Sequence, residues 1–104
     1  SPVTETEVLR IIQEALTNVR KHAQAKQVRL RIGSEGESLQ VEVADDGKGF
    51  NIVALTLANH FGVRIMRERA ERLGGQFEIE SEPGSGTRVR VCVPYKGLLQ
   101  RGDL

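Results

Sequence analysis

Four short segments of this 104-residue chain alternate apolar and polar residues, and that repeated alternation restricts the fold more than any other feature. Val28, Leu30 and Ile32 alternate with Arg29 and Arg31, and Leu39, Val41 and Val43 with Gln40 and Glu42. Phe77 and Ile79 alternate with Gln76, Glu78 and Glu80, and Val89, Val91 and Val93 with Arg88, Arg90 and Cys92. Successive side chains of a strand point to opposite faces, so each segment predicts a strand with one apolar and one largely charged face. Ser34 to Glu37 joins the first two segments and Glu82 to Gly86 the last two, which predicts two β-hairpins.

A helix is expected ahead of each hairpin. Thr4 and Glu7 have the spacing of a capping box, which places a helix start there. From Glu5 to about Ala23 the apolar stripe is Val8, Leu9, Ile12, Ala15, Leu16, Val19 and Ala23, with Glu7, Arg10, Glu14, Asn18 and Lys21 opposite. After Gly62 a second stripe of Val63, Ile65, Met66, Ala70 and Leu73 ends at Gly74-Gly75. Residues 51 to 60 carry apolar side chains without a clean period and predict a mobile loop. The expected fold is α/β, a two-layer sandwich of one mixed, antiparallel-rich sheet with helices on one face and water on the other. On the wet face Arg29, Arg31, Arg88 and Arg90 can pair with Glu42, Glu78 and Glu80 across strands.

Residues 1–104 make a single domain, long enough to bury a core of its own. The single Cys92 cannot form an internal disulfide, and between Val91 and Val93 it reads as a packed or face-exposed thiol. A net charge of +1 supplies no field for nucleic acid or anionic lipid, so neither is expected as a partner. No apolar run approaches membrane-spanning length, so direct membrane contact is not expected either.

The second strand ends in Asp45-Asp46-Gly47-Lys48-Gly49-Phe50. The parity of Leu39, Val41 and Val43 carries Asp45 to the apolar face, where a carboxylate needs hydrogen-bond donors to meet it. Thr87 has the parity of Val89, Val91 and Val93, so it enters the same face after a Gly-rich turn. A ligand with donors and acceptors, such as a purine edge, would satisfy both; alternatively Thr87 bonds a backbone group and Asp45 caps a turn. Glu14, Asn18 and Lys21 project together from the first helix. They suit Mg²⁺ and phosphate chemistry, or simply a solvated face. Gly62 opens the second helix, whose unpaired N–H groups and positive dipole end favour a polyphosphate, with Arg64 and Arg67 adding charge.

In order, Glu14-x-x-x-Asn18-x-x-Lys21-His22-Ala23, Asp45-x-Gly47-x-Gly49, the helix-opening Gly62 and Gly84-x-Gly86-Thr87 resemble the ATP-binding catalytic domain of bacterial sensor histidine kinases. That superfamily includes gyrase B, MutL and the large heat-shock chaperone ATPases. The stretch Phe61 to Ala70 resembles, more narrowly, the nitrate/nitrite-sensor type, which signals to LuxR-like response regulators. The resemblance implies ATP between helices and a flexible lid. It implies that Asn18 coordinates Mg²⁺, that Glu14 assists phosphotransfer and that Lys21 and His22 approach the phosphates. Asp45 would accept the adenine amino group, with Thr87 supporting the base through water. Gly47 and Gly49 would shape the lid base, Gly62 and Val63 would open the phosphate-binding helix, and Gly84 and Gly86 would complete the ATP site. The stretch from Asn51 to Phe61 is shorter than the lids of other kinase classes.

No dimerisation helix pair with a phosphoacceptor histidine is expected in the chain, which reads as a domain excised from a longer kinase. Its partner would be that dimerisation domain, with a LuxR-like regulator downstream. The domain is expected in the cytoplasm, whether or not the full-length protein is membrane-anchored. Other readings of the motifs are an anti-sigma-factor type serine kinase, a MutL or gyrase type ATPase clamp, and a non-catalytic nucleotide sensor.

Overall fold

The computed structural model describes residues 2–20, 24–49 and 61–95. Helix α1 spans Pro2–Asn18, strands β1 and β2 span Val28–Glu35 and Ser38–Asp45, helix α2 spans Phe61–Arg72, and strands β3 and β4 span Gln76–Ser81 and Thr87–Pro94. The four strands form one sheet in the order β1-β2-β4-β3. All three pairings are antiparallel, so among the described residues the sheet is purely antiparallel where a mixed one was expected. The α/β sandwich, the two hairpins and the helices on one face are as the alternation predicts.

Helix α1 begins earlier than the capping box suggests. Pro2 lies in the first turn, where its fixed φ suits a helix and its missing N–H costs nothing, so Thr4 is already inside the helix. The buried stripe is also rotated from the expected one: Val8, Ile11, Ile12 and Ala15 are buried, whereas Leu9 is 54% exposed. The α-helical hydrogen bonding ends at Asn18 and a wider π-type turn carries it to Arg20. Helix α2 buries Met66 and Ala70 and leaves Ile65 outside. Its end is closed by Gly74, at φ +77°, whose N–H reaches the Glu71 carbonyl at 2.9 Å while Gly75 N–H reaches that of Ala70 at 2.9 Å. Those two bonds satisfy carbonyls that a helix end otherwise leaves unpaired.

The core lies between the helices and strands β2 and β4, with Ile11, Met66 and Val93 at its centre. Each such fully buried side chain contributes about 1.5–3 kcal/mol. Strand β1 departs from this pattern. Leu30 and Ile32 face the same side as their buried partners Val43 and Val41, yet remain 44% and 60% exposed because β1 lies beyond the cover of both helices. On the outer face Arg88 pairs with Glu42 at 2.9 Å, and Arg90 pairs with Glu78 and Glu80. These exposed pairs add little stability but give the charged face the cross-strand order expected of it.

Tyr95, which follows β4, ties the far end of the sheet to α1. Its N–H donates to the Glu37 carbonyl at 2.7 Å in the β1–β2 turn, and its hydroxyl donates to Glu5.

Candidate functional site

Register across the sheet aligns rows of side chains on the helix-covered face. The last row contains Val28, Asp45, Thr87 and Ser81, each the Cα partner of its neighbour. Apolar rows such as Leu30, Val43, Val89 and Ile79 precede it, so the sheet ends in a polar row at one edge of the core. Asp45 and Thr87 are thus brought face to face, as their parity predicts. Asp45 Oδ1 accepts the Gly47 N–H at 2.8 Å. This bond caps the turn and occupies one carboxylate oxygen.

The two glycine-containing loops interlock at this edge. A side chain on Gly49, at φ +64°, would run into the carbonyl of Glu82, and one on Gly86, at φ +77°, into the carbonyl of Asp45. Gly84 N–H donates to the Lys48 carbonyl at 2.6 Å. Gly49 and Gly86 therefore serve a close approach of backbone to backbone, which only a residue without Cβ permits. Asp46 faces away from this edge. Its Oδ1 accepts the N–H groups of Lys26 and Gln27 at 2.9 and 3.0 Å, fixing the entry to β1. Those bonds, that from Gln27 first, hold its carboxyl below the usual range.

The polar side of α1 faces the second helix where open water was the alternative. An ideal Cβ on Gly62 would lie 3.1 Å from Glu14 Oε2 and 3.3 Å from Asn18 Nδ2. Both side chains therefore converge on the start of α2, where unpaired N–H groups suit a polyphosphate. Two turns earlier on α1, Glu7 accepts from Arg69 Nη1 at 2.6 Å. The hydrogen bond from Arg69 holds the Glu7 carboxyl below its usual range. Glu7 near Arg69 and Glu14 near Gly62 mean that the helices run antiparallel along this seam.

The Arg67 guanidinium lies over the Phe77 ring, 5.3 Å from its centre, and Arg64 lies 3.6 Å from Glu68. Lys21, His22 and the expected lid at 51–60 fall outside the described residues. Val63 is half-buried against the core. Sequence reasoning passed over Ser81, whose hydroxyl lies 2.8 Å from that of Thr87; the parity it shares with Phe77 and Ile79 was the available signal.

A polar row at one edge of the sheet and a helix start flanked by a carboxylate and an amide are features that a nucleotide site would use. Residues 3–97 match the family of histidine kinase-, DNA gyrase B- and HSP90-like ATPases, and the chain belongs to it. Within that family it is an ATP-binding domain of the histidine kinase type. It is 40% identical over 90 residues to the sensor histidine kinase LiaS of Bacillus subtilis, covering 86% of this chain and 25% of that protein. It is 38% identical to the sensor protein VraS of Staphylococcus aureus, covering 86% and 26%. The histidine kinase domain of the blue-light activated kinase of Erythrobacter litoralis EL346 superposes with a TM-score of 0.77 at 30% identity, over 90% of this chain and 46% of that one. The chain spans about a quarter of the length of the curated relatives it matches. Among the described residues no helix is long and apolar enough to cross a membrane.

Proposed function

We propose that this domain binds Mg-ATP and donates the γ-phosphoryl group to a histidine on a separate dimerisation domain of the same kinase. The observation that carries the reading is the convergence of Glu14 and Asn18 on Gly62, at the start of the helix where phosphates would lie. Among the described residues no three His, Cys, Asp or Glu side chains cluster into a metal cage. Mg²⁺ asks for less, since it takes one or two protein oxygens and completes its shell with water and phosphate. The Asn18 amide oxygen fits that need, and the ion would neutralise charge on the transferring group.

In the reaction an imidazole nitrogen attacks the γ-phosphorus, the bond to the β–γ bridging oxygen breaks and ADP leaves. Glu14 would take the imidazole proton. The N-terminal N–H groups of α2 hold the phosphates, and the family resemblance assigns Lys21 and His22 to the phosphates as well. Asp45 accepts the adenine amino group and Thr87 supports the base. The resemblance of Phe61 to Ala70 to the nitrate-sensor type favours a LuxR-like regulator as the next phosphoryl acceptor. A need for cellular ATP favours the cytoplasm, with any membrane anchor elsewhere in the full-length protein.

The test is phosphotransfer to an added dimerisation domain, followed as acid-labile phosphohistidine. Glu14→Gln keeps the side chain's reach but not its basicity. It should lower transfer by about 10²- to 10⁴-fold while MgATP affinity, measured by calorimetry, changes only a few-fold. Asn18→Ala should weaken both. Unchanged transfer in Glu14→Gln, or no saturation of the folded domain by millimolar MgATP, would sink the proposal.

A further inference from the structure

Ser81 is the one buried polar side chain among the described residues, at 8% exposure, and it lies at the end of the row formed by Asp45 and Thr87. Its Oγ is 3.0 Å from the Gly86 carbonyl oxygen and 2.8 Å from Thr87 Oγ1. A hydroxyl has one hydrogen to give, and a carbonyl oxygen can only accept. Ser81 therefore donates to Gly86. In the contact between the two hydroxyls Thr87 is then the donor and Ser81 the acceptor. With its hydrogen committed to Ser81, the Thr87 hydroxyl presents only lone pairs to the site. The carboxyl oxygens of its neighbour Asp45 also accept, one of them already engaged by Gly47.

We propose that Ser81 is the specificity-setting residue of the base site. By taking the Thr87 hydrogen it fixes that hydroxyl as an acceptor, so the row selects a purine with an exocyclic amino group at C6 over one with a carbonyl there. The proposal rests on the reading of Asp45 and Thr87 as the base-binding pair, with both side chains meeting the C6 substituent directly rather than Thr87 reaching the base through water. Adenine turns a donor toward two acceptors. Hypoxanthine turns its own acceptor toward them, which leaves desolvated lone pairs unpaired on both sides. A threonine free to rotate would lose this discrimination, because its hydroxyl could donate to the carbonyl without any change in shape. The bond to Gly86 has a second effect. Gly86 packs against the Asp45 backbone, so Ser81 braces both members of the pair.

Calorimetric titration with Mg-ATP and Mg-ITP tests this. The parent domain should prefer ATP, and in Ser81→Ala the ATP-to-ITP affinity ratio should fall about tenfold, the size of one net hydrogen bond. In a Thr87→Val background Ser81→Ala should leave the ratio where Thr87→Val alone sets it, since Ser81 acts through Thr87. A merely structural Ser81 would weaken both nucleotides together, and an unchanged ratio overturns the proposal. If Ser81→Ala does not fold, Ser81→Cys fills nearly the same volume with a weaker donor and acceptor; its ratio should fall in the same direction, and a ratio equal to the parent's is again fatal. Failure of the parent domain to bind either nucleotide overturns both this proposal and the base-site reading. Strong ATP preference that ignores Ser81 overturns this proposal alone.

Discussion

Replacing Gly62 by alanine should separate stability from function in a direction that few active-site substitutions take. Gly62 is the second residue of α2 and has no left-handed backbone to lose. Inside a helix glycine is less favourable than alanine by roughly 0.5–1 kcal/mol, and near the helix start the lower figure applies. The added methyl meets no backbone, only the ends of two flexible side chains, Glu14 Oε2 at 3.1 Å and Asn18 Nδ2 at 3.3 Å. Each need retreat by only a few tenths of an ångström, which costs the fold little. The midpoint of thermal unfolding should therefore rise by about 2–4 °C, the shift that roughly 0.5 kcal/mol produces in a domain of this size. The same retreat moves the proposed base and metal ligand by a few tenths of an ångström, where a misplacement of about 1 Å can cost about 10²-fold. Phosphotransfer at saturating MgATP should therefore fall by roughly 3- to 10-fold. Scanning calorimetry reads the first effect and rapid-quench phosphotransfer the second. Parent-like transfer rates in Gly62→Ala would refute the argument that Glu14 and Asn18 act where they converge.

The remaining predictions concern the two structures that hold the site. Because Arg69 lowers the Glu7 carboxyl below its ordinary 4.5, the unfolded chain binds more protons than the folded one as pH drops below that value. Stability is therefore fully present above pH 4.5 and is lost as pH falls through the lowered folded value; melts taken down to about pH 3 should show a shallower acid slope in Glu7→Gln than in the parent, and parallel slopes would remove the ion pair from the account. Gly86→Ala, at φ +77° and against the Asp45 carbonyl, should lose more stability in urea than Gly36→Ala, at φ +61° in open space. The control should lose about 1–2 kcal/mol and Gly86→Ala at least about 1 kcal/mol more, and equal losses would show that the loops do not interlock as described.

Much of this was legible in the sequence because strand parity is a local code. The alternation through Val43 to Asp45 and through Val89 back to Thr87 assigns both polar side chains to the covered face, and the register then sets them opposite each other. Glycine at position 62 was legible as a helix start for a similar reason. What parity does not carry is which element covers which face. Leu30 and Ile32 read as core and are half-exposed, because cover depends on where the helices land and not on the strand itself. The polar stripe of Glu7, Glu14 and Asn18 reads equally as a solvated face; only the packing of α2 along it makes it a seam. Arg69 and Glu7 are 62 residues apart, and no local period connects them. Ser81 was hidden by a smaller effect, since a serine at a strand end before a Gly-rich turn reads first as part of the turn.

The two halves of the proposed site, its base end and its phosphate end, are held by different kinds of contact, and that difference sets how each responds to change. At the base end the geometry is fixed by backbone on backbone: Gly49 lies against Glu82 and Gly86, Gly86 lies against Asp45, and Gly84 N–H binds the Lys48 carbonyl. A substitution there must move chain, so stability and nucleotide affinity fall together. At the phosphate end the geometry is fixed by side chains across a helix seam, Glu14 and Asn18 at Gly62 and Glu7 at Arg69. Side chains shift at small cost to the fold, so this end can lose transfer rate while the domain stays as stable as before. The opposite signs expected for the stability of Gly86→Ala and Gly62→Ala follow from that division. Along that seam the Glu7–Arg69 pair, at 2.6 Å and about one-quarter exposed, is a polar tie that resists sliding of one helix past the other.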